Sequence, residues 1–265
     1  MKAAPRRDSW RPRDAAPAFR RGYYAAPVRS LAARGWQQLC DNERDSVIAA
    51  TMVMGDLARL GAPPPILGAA ARVIEDEVRH VEVCATVIEA LGGDVSAPSP
   101  ETTRANLGDR ALEDRCAFTL IAGFAAGEPL SAACFAAART AAREPLVRWA
   151  YTELLRDEAR HGGFGVDAAT WVVREWTSAR RGHLFPACVV EMQAFEKAVA
   201  GHRTTDTATE RSVEALGYLP RPAAHGAMLA AIPRWVLPAL QRLGVIGGGW
   251  RTACAIGSSG ADVSV

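Results

Sequence analysis

The sequence lacks the cysteine patterns that mark cross-linked proteins and cysteine-ligated metal modules. It has six cysteines in 265 residues, and no two of them form a C-x-x-C pair. Each cysteine stands alone within an apolar stretch, which argues against a disulfide framework, a zinc ribbon and a rubredoxin-like iron module. The N-terminal residues also lack the apolar core of a secretion signal. These absences predict a reducing, cytoplasmic location.

The chain also has little net charge, +2 at neutral pH. That charge is unevenly spread, because residues 1–30 contain eight basic and two acidic side chains while the remainder is net acidic. A basic, proline-rich segment of this kind predicts an N-terminal arm over residues 1–30. A nucleic-acid role would depend on these arginines alone, so no nucleic-acid partner is expected.

One apolar run, from Cys116 to Ala138, is long enough to mimic a membrane span. Glu128 and Pro129 interrupt its middle, and a carboxylate at the centre of a bilayer is costly. A helix that is apolar on all sides is also typical of the centre of a large helical bundle. We therefore expect a buried central helix and no membrane partner. Pro129 further predicts a kink or a local widening of this helix beside Glu128.

Abundant alanine and the scarcity of β-branched runs predict an all-α protein. The apolar pattern, with Gly61 and Gly92 as C-terminal stop signals, predicts four long helices at about 30–60, 64–91, 109–142 and 145–176. The loop within each pair of helices is short, whereas the polar connection between the two pairs spans residues 92–107. This order is typical of a four-helix bundle with one long crossover.

The predicted domain organisation follows from these elements. The four-helix bundle occupies residues 31–177, after the N-terminal arm. Residues 178–246 contain shorter helical segments, which we predict to be C-terminal capping helices packed on the bundle. Residues 247–265 are rich in glycine and serine, and they predict a flexible tail.

One hexapeptide occurs twice, as EDEVRH at residues 75–80 and as RDEARH at residues 156–161. Each copy places a glutamate and a histidine three residues apart, on one face of a helix and within an otherwise apolar row. The first and third predicted helices each carry a single glutamate on their apolar rows. Six side chains should then converge in one core: Glu43, Glu77, His80, Glu128, Glu158 and His161. Their neighbours are predicted on other helix faces, namely Asp76, Arg79, Asp157 and Arg160.

Four carboxylates in an apolar core need compensation, because each isolated buried charge costs several kcal/mol. Two divalent cations would neutralise the four negative charges. Oxygen-rich ligation with one imidazole for each metal suits iron or manganese better than zinc. The residues therefore predict a two-metal site between the four helices.

The six residues resemble the ligand set of the ferritin-like di-iron carboxylate superfamily, over residues 31–177. The segment ERDSVIAATMVMGDLARLGAPPPILGAAARVIEDEVRHVEVC is similar to small ferritin-like domain proteins of bacteria. The resemblance implies that Glu77 and Glu158 bridge two irons and that each iron has one histidine, His80 or His161. Terminal ligation by Glu43 and Glu128 is implied in the same way. Alternatively, the site would hold two manganese ions, or one iron and one manganese ion.

The sequence lacks two features that particular branches of this superfamily have. The absent rubredoxin-like cysteine cluster argues against a complete rubrerythrin. The third histidine of the arylamine N-oxygenase branch is also missing, because Glu153, Leu154 and Leu155 occupy that neighbourhood.

By this resemblance the chain is expected to be a non-haem di-iron oxidoreductase. It would use O₂ or peroxide to oxidise a small, largely apolar organic substrate, with electrons from an external ferredoxin-type or flavin donor. Iron oxidation and storage, or di-manganese peroxide scavenging, are the alternatives. The oligomeric state stays open, a homodimer included. The substrate pocket is predicted beside four aromatic residues: Trp36, Phe124, Phe135 and Tyr151.

Overall fold

The computed structural model describes residues 12–97, 110–198 and 207–246. Residues 1–11 of the predicted N-terminal arm, residues 98–107 of the predicted crossover and the predicted flexible tail lie outside the described residues. The described parts of the chain are helical, and no strand forms in them. The prediction of an all-α protein is confirmed.

Four long helices form the body of the protein. They are α1 (Ala26–Arg59), α2 (Pro64–Leu91), α3 (Leu112–Ala141) and α4 (Pro145–Val172). Proline at or next to the first helical position begins α1, α2 and α4, where its missing N–H costs nothing. Gly61 and Gly92 follow α1 and α2 with φ of 77° and 90°, which are left-handed conformations that glycine adopts without strain.

The long helices pack in a bundle-like arrangement. α1 lies against α2, α3 lies against α4, and α2 lies against α4. Two apolar clusters fill the interior, and each long helix contributes to both. In α1, for example, Trp36 and Leu39 belong to one cluster and Val53 and Leu57 to the other. The residues between these pairs lie at the level where the two clusters meet.

The middle of α3 departs from α-helical geometry. Thr119–Gly127 is a π-helical segment, and regular α-helix resumes at Glu128. Pro129 has no N–H to donate, so it removes a bond from the helical ladder at this point. The local widening predicted beside Glu128 is confirmed. Gly165 of α4 permits the close approach of this segment, because a Cβ there would lie 2.5 Å from the backbone nitrogen of Ala125.

α3 is also the helix, among those described, whose length and apolar composition would suffice to cross a membrane. Half of its most apolar 18-residue window is buried inside the protein. The burial arises from its contacts with α4 and with the C-terminal helices.

The described part of the C-terminal region adds a five-residue helical turn at Ser178–Gly182 and four longer helices. The four longer helices are α5 (Phe185–Ala198), α6 (Thr207–Ala215), α7 (Arg221–Ala231) and α8 (Leu237–Arg242), with a π-helical turn at Ile232–Val236 between the last two. α5 packs on the π-helical segment of α3, α6 packs on α1, and α7 packs on the C-terminal half of α3. These helices therefore cover both α1 and α3.

The described part of the N-terminal region lies against the bundle as well. Arg13 forms a salt bridge of 3.0 Å with Glu89, and Arg20 Nε donates to the buried Glu144 at 3.1 Å. α1 begins at Ala26, within the stretch predicted as an arm, because Pro27 provides a helix start before residue 30.

Candidate metal centre

All six predicted ligands are buried at one level of the bundle, between the two apolar clusters. α1 contributes Glu43 and α3 contributes Glu128. α2 and α4 each contribute a Glu-x-x-His pair. The side chains enter from four helices because each interrupts an apolar row that the helix buries.

The carboxylates surround His80 on its Nδ1 side. His80 Nδ1 lies 3.3 Å from Glu43 Oε2 and 3.4 Å from Glu77 Oε2. Glu158 Oε1 lies 3.7 Å from the same nitrogen. Glu43, Glu77 and His80 each have one ligand atom within 4.8 Å of the others, which is close enough for one metal ion to contact all three.

His161 has a matching environment. Its Nδ1 lies 3.0 Å from Glu77 Oε1, and the ligand atoms of Glu77, Glu128 and His161 lie within 4.8 Å of one another. Glu77 belongs to both three-residue groups, and the centroids of the two imidazole rings are 5.6 Å apart. These buried groups could hold metal ions on the two sides of Glu77.

Three atoms in this cluster have no hydrogen-bond partner among the described residues: Glu77 Oε1, Glu158 Oε2 and His161 Nδ1. Glu77 Oε1 and His161 Nδ1 are close, but their geometry is not that of a hydrogen bond. An unsatisfied buried polar group costs about 1–3 kcal/mol. A cation coordinated by these lone pairs would remove that cost, so the donor set fits a metal.

Each histidine is oriented by an aspartate from the opposite helix. Asp157 Oδ2 lies 3.4 Å from His80 Nε2, and Asp76 Oδ2 lies 3.3 Å from His161 Nε2. In the tautomer that protonates Nε2, each ring donates to its aspartate and directs the Nδ1 lone pair toward the glutamates. A histidine ligand is commonly held in this way.

Two arginines complete this arrangement. Arg160 Nη2 lies 2.7 Å from Asp76 Oδ2 and 2.5 Å from Asp157 Oδ1. Arg79 Nη2 lies 3.1 Å from Asp76 Oδ1 and also contacts Asp157. The four side chains form an Asp–Arg quartet, which links α2 to α4.

The quartet corrects the prediction that these neighbours occupy other helix faces. Asp76 and Asp157 are buried, because α2 and α4 pack on each other and thereby bury a second flank beside the row that carries the glutamates. The signal was present in the sequence, since the shared pattern is Asp-Glu-x-Arg-His rather than Glu-x-x-His alone.

Proton affinities in the cluster are strongly shifted. Burial raises the pKa of Glu43 to about 7, and it also raises the pKa values of Glu128 and Glu158. Burial acts to lower the pKa of His80, but its contacts with Glu43 and Glu77 outweigh burial and raise the pKa to about 9. In the same way, contacts with Asp76 and Glu77 raise the pKa of His161 to about 10.

Glu77 has the opposite shift. Burial acts to raise its pKa, but contacts with His161 and His80 outweigh burial and lower the pKa to about 2. Without a cation, therefore, the pKa shifts favour protonated histidines and oppose full ionisation of the outer glutamates around the ionised Glu77. Metal binding would displace these protons, because ligands coordinate in their deprotonated forms.

The chain matches no protein-family model, no curated protein and no solved structure. The assignment of chemistry to this cluster consequently depends on the geometry above and on the residue pattern.

A cavity of about 140 Å³ adjoins the carboxylate side of the cluster. Glu43, Glu128 and Glu158 form part of its wall, and polar residues of α1 and α3 also line it: Asn42, Asp45, Ser46 and Ser131. Of the four aromatic residues predicted at a substrate pocket, three line this cavity: Trp36, Phe135 and Tyr151.

Phe124 is not among the residues that line the cavity. Its ring packs edge-on against Phe164, with the centroids 5.6 Å apart, in the apolar cluster on the other side of the polar layer. The prediction counted residues with an α-helical period, and the π-helical segment changes that period between Phe124 and Glu128. Residues of the C-terminal region, Phe195 and 217–219, line the cavity instead. The helical pattern of the bundle did not predict that this region contributes to the pocket.

Proposed function

We propose that the four long helices form a ferritin-like bundle with a two-metal carboxylate centre. Three features support the proposal: one carboxylate from each helix, one imidazole for each three-residue group, and Glu77 shared between the groups. The observation that carries it is the set of unsatisfied buried atoms on Glu77, Glu158 and His161, since a cation explains all three at once.

The donor set favours iron or manganese. Each metal would receive carboxylate oxygens and one histidine Nδ1, and such oxygen-rich ligation suits these ions. Glu43 and His80 would hold one ion, Glu128 and His161 would hold the other, and Glu77 would contact both. Glu158 reaches the cluster from the duplicated motif on α4 and completes the ring of carboxylates.

We infer that the chain is an oxidoreductase that oxidises a small, largely apolar organic molecule. Two ferrous ions in such a site supply electrons for the reduction of O₂ or peroxide. The protein's residues hold the ligands in place, exclude bulk water and position the substrate. The cavity supports this role, because it joins an aromatic wall to the carboxylate face of the cluster.

The cavity also favours substrate oxidation over the alternatives of iron storage and peroxide scavenging. Peroxide and hydrated iron need no aromatic pocket, whereas Trp36, Phe135 and Tyr151 give this cavity the lining that organic ligands favour. Reducing equivalents would come from an external ferredoxin-type or flavin donor.

Metal analysis after anaerobic loading with ferrous iron tests the proposal. We expect two irons per chain and a change in the optical spectrum when O₂ is admitted. Many irons per chain in a large symmetric assembly would support storage instead. A protein that stays metal-free after loading would contradict the proposed two-metal centre.

A further inference from the structure

One part of the cavity wall comes from the C-terminal region, which follows the metal ligands in the sequence. Gly217, Tyr218 and Leu219 line the cavity together with residues of α1 and α3. They belong to the turn that follows α6, which we call the 216–219 turn (Leu216 to Leu219).

The 216–219 turn ends α6 in a left-handed cap. Gly217 N donates to Glu214 O at 2.8 Å, and Tyr218 N donates to Val213 O at 3.2 Å. Gly217 has φ of 81°. This pair of hydrogen bonds with a glycine in the left-handed region is a common helix C-terminus, and it satisfies carbonyls that the helix leaves free.

Two aromatic residues that line the cavity donate hydrogen bonds to the backbone of the turn. Trp36 Nε1 donates to Leu216 O at 3.0 Å, and Tyr151 Oη donates to Gly217 O at 2.8 Å. Both hydrogen bonds are buried. The indole N–H and the phenol proton are therefore committed to the backbone of the turn, and the rings of Trp36 and Tyr151 present largely apolar surfaces to the cavity.

The turn also packs closely against α1 and α4. A Cβ on Gly35 would lie 2.5 Å from the ring of Tyr218, and a Cβ on Gly217 would lie 2.6 Å from Tyr151. The loop between α3 and α4 adds a third attachment, because the backbone nitrogen of Arg143 donates to Ala215 O at 2.9 Å. A turn attached to α1, α4 and this loop is a fixed wall rather than a lid.

A fixed wall limits how far an occupant can extend toward the C-terminal region. The cavity has a volume of about 140 Å³. An enclosed apolar cavity of roughly 150 Å³ accommodates one benzene molecule, and this cavity has a similar volume, although it is partly open and three glutamates form part of its wall. Two fused rings exceed this space unless a wall residue is shortened, and Leu219 is the branched aliphatic side chain that the turn contributes.

We propose that the cavity binds a neutral molecule with one six-membered ring, and that the 216–219 turn, through Leu219, determines the size of substrate that reaches the carboxylate face. The chemistry of that substrate rests on the proposed function, whereas its binding does not. Leu219 is a specificity-determining residue in this account, and Trp36 and Tyr151 are positioning residues that hold the turn.

The test uses the full chain and two fluorinated probes, fluorobenzene and 1-fluoronaphthalene, observed by ¹⁹F NMR. Leu219→Ala enlarges the cavity, and Ala138→Leu fills it from α3. Leu229→Ala is the matched control, because Leu229 lies in the same C-terminal region and is exposed. The far-UV circular dichroism and the melting temperature of each variant establish that it is folded.

We expect the native chain to bind fluorobenzene and to bind 1-fluoronaphthalene about tenfold more weakly, which corresponds to about 1.4 kcal/mol. Leu219→Ala should remove that difference, Ala138→Leu should abolish fluorobenzene binding, and Leu229→Ala should change neither. Equal binding of both probes by the native chain would overturn the size limit. Fluorobenzene binding that survives Ala138→Leu would overturn the location.

Loading with Mn²⁺ separates this inference from the proposed function. A paramagnetic ion at the cluster should broaden the fluorine signal of bound fluorobenzene, because the glutamates form part of the cavity wall. Binding of Mn²⁺ without binding of either probe would refute the ring site and leave the metal centre intact. Binding of fluorobenzene by a chain that takes up no metal would support the ring site and contradict the proposed function.

Discussion

The two sides of the buried polar layer differ in how their charges are satisfied. On the side of the histidine Nε2 atoms, Asp76 contacts one histidine and two arginines, and Asp157 contacts one histidine and three arginines. On the Nδ1 side, Glu77, Glu158 and His161 retain unsatisfied atoms, and Glu158 also lines the cavity. On the first side both carboxylates are paired with cations of the chain itself, whereas on the second side carboxylate oxygens and a histidine nitrogen remain available as ligand atoms. The contrast fits the proposal that the Nε2 side fixes the geometry of the histidines and that the Nδ1 side binds metal.

The largest effect should come from Glu77, because it belongs to both three-residue groups. Glu77→Ala should reduce metal content from two ions per chain to fewer than one, whereas His80→Ala or His161→Ala should remove one ion. Glu75→Ala, at an exposed position of the same helix, is the control and should leave metal content unchanged. Elemental analysis of the metal-loaded variants measures the number of ions per chain. Two ions per chain in Glu77→Ala would contradict the assignment of Glu77 as a ligand of both metals.

The next experiment tests whether the aspartates on the Nε2 side fix the geometry of the histidines. Asp157→Asn keeps the shape of the side chain but weakens its contact with His80 Nε2 and with three arginines. We expect metal affinity to fall by about 10–100-fold, as for other residues that orient a ligand. Asp167→Asn on the same helix is exposed and should bind as the native chain does. Equal affinities in a competition titration would show that Asp157 does not orient the ligand.

A third experiment concerns the close approach of α3 to α4, which positions Glu128 on the binding side. Gly165→Ala would drive a Cβ to within 2.5 Å of the backbone of Ala125, and overpacking of this kind typically costs about 1–3 kcal/mol of unfolding free energy. Gly163→Ala faces open space two residues earlier and should stabilise the helix by up to about 1 kcal/mol. Chemical denaturation measures both values, and similar values for the two variants would contradict the close approach.

The smallest effect is the pH dependence of the metal-free protein. The folded pKa values of His80 and His161, about 9 and 10, lie above the ordinary value of 6.5. Their contribution to stability is present below pH 6.5 and is lost as the pH rises through 9–10. Glu43 is raised to about 7, so its contribution is also lost as the pH rises.

The melting temperature of the metal-free protein should therefore decrease between pH 6.5 and 9. Metal-loaded protein should show a smaller decrease or an increase, because deprotonated ligands favour the bound ion. Thermal denaturation of both forms across this range provides the comparison. A melting temperature of the metal-free form that rises toward pH 9 would contradict the shifted proton affinities.

Much of the fold could be predicted from local patterns. The bounds of α2 were predictable to within about one residue, because a proline, Pro64 or Pro65, can begin the helix and Gly92 ends it. The six candidate ligands were found because each glutamate or histidine interrupts an apolar row, and their arrival at one level follows from the duplicated spacing. These features depend on residues within a turn or two of one another.

Features that depend on packing between helices were missed. Asp76 and Asp157 were assigned to other faces because a single-helix row does not show the flank that α2 and α4 bury together. Phe124 was misplaced because the π-helical segment changes the helical period. The 216–219 turn reaches Trp36 across 180 positions, and no local pattern in the chain indicates that contact.

The central claim is that the buried polar layer holds two cations on opposite sides of Glu77. Anomalous diffraction from crystals of the chain loaded with Fe²⁺ without oxygen, or with Mn²⁺, tests it most directly. The account predicts two anomalous peaks, one near Glu43 and His80 and the other near Glu128 and His161, with Glu77 between them. The absence of peaks at this level of the bundle, with metal bound elsewhere or not at all, would contradict it.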